Sequence, residues 1–216
     1  ESTLEKVLDT FSESDKVKKP VAMRGSLPIK VAERLVTMVS EQLREHIMTH
    51  HEISEGMASD LLFESREKAT VSLLHGSERS AVLELVDQLY ENGRLTSTLL
   101  LRALCMGDAT FFEAALAKRA GIPVVNAYKL VHDKGSLGLD RLFAAAKMPQ
   151  AFIEVARTAL EVVEETTLSA GDDRELFQQI MIERVLTRME NEIDADNMDY
   201  LIGRLKDVAK PESASA

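Results

Sequence analysis

The stretch MGDATFFEAALAKRAGIPVVNAYKLVHDKG, residues 106–135, contains two segments of the same outline. In each, a glycine is followed by a polar residue or a proline, then by apolar residues at three- and four-residue steps, then by another glycine. Asp108 and Pro123 stand where the helices start, and Gly121 and Gly135 stand where they stop. Aspartate accepts hydrogen bonds from the free N–H groups of a first turn, proline fits the start of a helix, and glycine accommodates a left-handed exit.

The rhythm extends in both directions. Glycines fall at 93, 107, 121 and 135, fourteen residues apart, and Pro149 is one further step. Between them lie Leu99, Leu100, Ala103 and Leu104, then Phe111, Phe112, Ala115 and Leu116, then Val124, Ala127, Tyr128 and Val131, then Leu139, Leu142, Phe143 and Ala146. Thr96 and Ser136 supply the remaining helix starts. A helix of about ten residues spans about 15 Å and cannot bury its apolar face alone, so successive helices must lean on one another. A pair would recur every twenty-eight residues, shorter than the usual helical-repeat periods. The segment is therefore read as loose pseudo-repeats, HEAT-like at most.

Upstream the texture is different. Pro28 is placed to start a helix that carries Val31, Leu35, Met38, Val39, Leu43 and Ile47, about five turns of amphipathic spacing. After a break at 52–56, a second long helix has Ala58, Leu61, Leu62, Ala69 and Leu73 on one face. The short connection predicts an antiparallel hairpin over 27–76. Residues 4–11 suit a short opening helix, and 12–26, polar and with Pro20 and Gly25, read as a linker. Downstream, Phe152 to Val163 mark another helix, 169–175 a loop, Phe177 to Met189 a longer helix, and about Asp196 to Leu205 a last one. The expected class is all-α: a hairpin (27–76), a helical array (77–208) and a disordered tail (209–216).

Charge and composition narrow the functions. Hydrophobic residues are 45% and charged residues 29%, ordinary globular values. The net charge of −10 and the absence of a basic patch argue against a nucleic-acid partner or an anionic membrane surface. No apolar run approaches the roughly 18 residues a spanning helix needs. Cys105 is the only cysteine, so no internal disulfide forms, and a reducing cytoplasm fits. The chain begins at Glu1, not Met, and reads as a segment of a longer protein.

HIMTHHE (46–52) is the most chemical-looking segment. His46 and His50 are four apart and share a helical face, a spacing that can bind a transition metal. The metalloprotease pattern fails because Ile47 stands where glutamate is needed, and no third ligand is placed. A polar helix end, where histidines interact well with the helix dipole, is the reading preferred over a metal site. A histidine on a helical hairpin also suits phosphotransfer, with His46, His50 or His51 as acceptor, but the flanking residues of a histidine kinase are missing. In DADNMD (194–199) the sixth position of a calcium loop is Asp199 and the twelfth is Leu205, which excludes that site. Cys105 reads as a small buried hydrophobe without a base beside it. Arg102, Glu113 and Arg119 read as solvated residues or members of ion pairs. No catalytic, cofactor or metal residue is assigned.

The segments at 27–53, 64–74, 92–149 and 196–205 together resemble a bacterial family of uncharacterised proteins, the domain of unknown function 2336 family. The resemblance covers about residues 27–206 and contains no catalytic signature. It implies a cytoplasmic bacterial protein whose relatives often extend further at the N-terminus with more helices, and it carries over no site residues. The expected function is a non-enzymatic protein-interaction or scaffold module with protein partners, including a homodimer through the hairpin. The alternative is a signalling component with a phosphoacceptor among His46, His50 and His51.

Overall fold

A computed structural model describes residues 2–11, 14–24, 27–50, 55–74, 76–133, 135–169 and 174–189. Among these residues every regular element is a helix, and none is long and apolar enough to cross a membrane. His51, the calcium-loop comparison at 194–199, the last helix from Asp196 and the tail lie outside the described residues, as does most of the loop at 169–175. The chain divides into two compact units, Glu1–Gln88 and Leu89–Ala216.

In the first unit, α1 (Ser2–Thr10) and α2 (Asp15–Ala22) precede the hairpin of α3 (Ile29–His50) and α4 (Glu55–Leu74), with α5 (Arg79–Glu91) following. An ion pair between Glu41 and Arg66 fixes the antiparallel register of the hairpin. Residues 15–22 form a helix where the sequence predicts a linker, although Pro20 lies inside it. Its apolar spacing explains why: Val17 and Val21, one turn apart, pack with Leu8 of α1 and with Val31, Leu35 and Met38 of α3. Tertiary burial outweighs the lost hydrogen bond and the proline's low propensity.

Glu33 of α3 is only 1% exposed. Thr37 Oγ1 and Gln88 Nε2 donate to its two carboxylate oxygens at 3.1 and 2.7 Å, which meets the requirement that a buried charge be hydrogen-bonded.

The second unit is built around α7 (Ala109–Ala120), in which Phe111 to Ala117 are all buried. A helix apolar on every side must be surrounded. It packs against α6 (Ser97–Cys105), α8 (Val124–Val131) and α9 (Ser136–Ala145), while α10 (Ile153–Ser169) returns against α6 and carries α11 (Arg174–Met189). Phe112 meets Phe143 of α9 at a 6.4 Å centroid distance. Arg184 and Arg188 of α11 pair with Glu165 and Glu161 of α10, so four residues back on one helix match four forward on the other, the signature of antiparallel packing.

All four evenly spaced glycines lie between helices. Gly93, Gly107 and Gly121 have φ of 66°, 92° and 69°, left-handed exits as expected. Gly135 differs: its φ is −85° and it is the N-cap of α9, with Ser136 the first helical residue. At the exit of α9 the left-handed residue is Lys147, with φ 53°. The side chain of Thr96 accepts from Leu99 N at 3.1 Å and caps α6.

Two stability outcomes follow. A left-handed L-residue costs about 1–2 kcal/mol, so Lys147→Gly should raise the urea midpoint, in the direction of about 1 kcal/mol. Gly138 of α9 lies so close to α8 that an added Cβ would stand 2.7 Å from the Leu130 carbonyl oxygen. Alanine in place of a helical glycine ordinarily stabilises; here Gly138→Ala should destabilise by about 1–3 kcal/mol in the same assay.

Candidate functional site

Two places on the chain carry unusual chemistry, one in each unit. The first is the half of the hairpin nearest its connection. Every exposed large apolar residue of α3 and α4 lies there: Val39, Leu43, Met48, Met57, Leu61 and Phe63. The half that meets α1, α2 and α5 has none; its Val31, Leu35, Val71 and Leu74 are buried.

The helical phase sorts these exposed residues into faces. At about 100° per residue, Val39 and Leu43 lie on the far side of α3 from Glu41, and Met57 and Leu61 lie far around α4 from Arg66. The Glu41–Arg66 pair therefore marks one face of the hairpin, and the four aliphatic residues form a stripe on the other. The stripe read from sequence as one surface is thus split. Met38 and Leu35 turn inward, while Val39 and Leu43, a step around the helix, stay in solvent. On α4, Ala58 and Leu62 are buried but Leu61, expected beside them, is 55% exposed. On the opposite side of α3 runs a groove of about 550 Å³, lined by Arg34, Met38, Glu41, Glu45 and Met48 among others.

The sequence-predicted histidines belong to this same end. His46 is exposed on α3, near Leu43 and on the outer flank of the aliphatic stripe. His50 is the last residue of α3. Among the described residues, no three His, Cys, Asp or Glu side chains gather to hold a metal ion.

The second place was not singled out from sequence. His132, at the C-cap of α8, bridges two other helices. Its Nε2 lies 2.8 Å from Oε1 of Glu113 on α7, and its Nδ1 lies 3.0 Å from Oε1 of Glu164 on α10. A carboxylate only accepts, so both ring nitrogens must donate, which is the doubly protonated imidazolium. Tyr128, one turn back, lies against the ring in a tilted arrangement, with 4.5 Å between centroids. The Glu113 side chain is 7% exposed and that of Glu164 is 60% exposed, so one partner is buried and the other solvated. Burial by itself pulls the histidine pKa down, but the hydrogen bonds and charges of the two carboxylates outweigh it, and the net shift is upward.

Glu113 is therefore a buried member of an ion pair, not a solvated residue. Arg102 is likewise buried. Arg119 is part-buried and donates to Ser97 Oγ at 2.9 Å, to Met148 Sδ at 3.3 Å and to the Lys147 carbonyl at 3.1 Å, so it joins α7 to the start of α6 and to the turn after α9. Cys105 is 2% exposed, and burial pushes its thiol up to about 12, which keeps it protonated and unreactive. The sequence offered one signal for His132, its i, i+4 spacing from Tyr128; its partners, 19 and 32 residues away, had none.

The sequence pattern of DUF2336, described as an uncharacterised protein conserved in bacteria, matches residues 1–193. The chain belongs to this family. The match takes in α1 and α2, which lie before the region of resemblance seen in the sequence. No curated protein and no solved structure matches the chain. DUF2336 membership thus establishes kinship without an activity, and the residues themselves must carry the functional argument.

A raised folded pKa makes the His132 contribution fully present below the ordinary histidine value of about 6.5 and lost as pH rises through the folded value. Thermal unfolding of the wild type and His132→Gln should therefore differ most at about pH 6 and least at about pH 9. A gap that does not change with pH would show that the ring is not held as a cation.

Proposed function

We propose that this protein is a non-enzymatic protein-interaction module of the bacterial cytoplasm, docking partner proteins on the half of the hairpin nearest its connection. The observation that carries the reading is the aliphatic stripe of Val39, Leu43, Met57 and Leu61, left at the surface of the hairpin. Large exposed apolar residues in contiguous rows mark binding surfaces, and paired helices offer a groove for a helical ligand. In the second unit the groups with reactive potential are occupied structurally: both nitrogens of His132 are bonded to carboxylates, and Cys105 is sealed. Those facts support a binding role over a catalytic one.

The decisive measurement is affinity capture from a bacterial lysate with the wild-type chain and with the Leu43→Glu/Leu61→Glu variant. Both positions are about half exposed, so the variant should fold. The reading expects proteins retained by the wild type and lost by the variant; identical capture profiles would remove it.

The exposure of His46 favours one second reading, a phosphoacceptor histidine in the segment containing His46, His50 and His51. Incubation with a labelled phosphodonor and a response-regulator partner tests it. The absence of acid-labile label on that segment removes it.

A further inference from the structure

We propose that the end of α7 that carries Lys118 and Arg119 binds a phosphate group, free or held as a monoester, with the Arg119 guanidinium as its fork. The site lies in the second unit and does not depend on the hairpin reading.

Arg119 is the exceptional residue. Arg66, Arg157, Arg184 and Arg188 each meet a carboxylate. Among the described residues Arg119 meets none: its acceptors are Ser97 Oγ, Met148 Sδ and the Lys147 carbonyl, all neutral. Burial holds its pKa below the ordinary arginine value, and the neighbour that opposes this shift is the Tyr90 phenol. A guanidinium has five N–H donors. Nη1 donates to Ser97 and Met148, and Nη2 donates once, to Lys147. The Nε proton and the second Nη2 proton are left. Nε and Nη2 share one edge of the planar group, the edge that takes two oxygens of a single anion.

The surroundings favour phosphate over a carboxylate. Lys118 Nζ lies over the Tyr90 ring, 5.4 Å from its centroid, on the same side chain that neighbours Arg119. Lys147 gives its carbonyl to Arg119, and its exposed ammonium is free to turn toward the same anion. Ser97 Oγ accepts from Arg119, so its own proton is left to donate. Ser97 is also the first residue of α6, where the helix dipole is positive. A carboxylate has one charge and two oxygens for the fork. A phosphate adds a third oxygen for Ser97 and a second charge for the lysines.

The acidic residues of these helices stand elsewhere. Asp108 is at the start of α7, about 16 Å from Arg119 along the axis. Glu113 is held in the His132 bridge, and Asp140 of α9 pairs with Arg157. Glu91, next to Tyr90 at the end of α5, is one carboxylate set against three cations. The net charge of −10 also limits the ligand: it repels a polyanion, whereas a single phosphate within a screening length of about 8 Å feels the local cations.

Titration calorimetry of the full chain at low ionic strength tests the proposal, with inorganic phosphate, O-phosphoserine and acetate as probes. The wild type should bind the two phosphates saturably and more tightly than acetate. Phosphoserine binding at least as tightly as inorganic phosphate assigns the site to monoesters; the opposite order assigns it to free phosphate. Arg119→Lys keeps the charge without the fork and should weaken phosphate binding about tenfold, equivalent to about 1.4 kcal/mol. Because Arg119 also joins α6 to the turn after α9, Lys118→Gln/Lys147→Gln gives a second reading that leaves those contacts in place, and it should weaken binding by a similar factor. Lys129→Gln, which removes an exposed cation of α8, should leave binding unchanged. A folded wild type that binds neither phosphate overturns the proposal, as does acetate binding as tightly as phosphate. Undiminished binding in either site variant with helical circular dichroism retained also overturns it, and so does an equal loss in Lys129→Gln.

Discussion

A helix buried on every side has no room for an unpaired charge, and α7 is such a helix. Seven consecutive residues, Phe111 to Ala117, are out of solvent, and Glu113 is among them. An isolated carboxylate there would cost several kcal/mol, so another helix must bring a cation to it. α8 does so with His132 at its C-cap, and that ring reaches onward to Glu164 of α10. Arg119, in the last turn of α7, binds the start of α6 and the turn that follows α9. Glu113 and Arg119 thus connect this buried helix to its surroundings, while Phe111, Phe112 and Phe143 fill the core around it.

The first unit meets the same demand differently. Glu33 is as deeply buried as Glu113, and its oxygens accept from Thr37 one turn away and from Gln88 on α5. The contact with Gln88, 55 residues away, joins distant helices just as the His132 bridge does.

Local signals made much of the architecture legible. The turns at Gly93, Gly107 and Gly121 follow from the one residue that accepts a left-handed backbone without strain, and the spacing of Phe111, Phe112, Ala115 and Leu116 marks the apolar face of α7, though not the burial of Glu113 on its other side. What escaped reading depends on contacts between distant residues. α2 forms because Val17 and Val21 find α1 and α3, a gain invisible beside Pro20. The exit of α9 uses Lys147, whose carbonyl is held by Arg119 twenty-eight residues earlier. The exposure of Val39, Leu43 and Leu61 was hidden for a related reason: α3 and α4 carry more apolar residues than one buried stripe can hold, and periodicity alone does not say which will be covered. The histidine bridge joins residues from three helices and is absent from any single window of sequence.

Cys105 gives the second unit a built-in reporter. It is the chain's one thiol, it is sealed inside α6, and its proton is held far above the range where thiolates form. A thiol reagent added to the native chain therefore reads the rate at which this interior becomes transiently accessible, a clock for local opening that needs no engineered label. The same silence leaves the molecular surface blank for chemistry: a cysteine introduced at any exposed position would be the only one to react while the fold is intact.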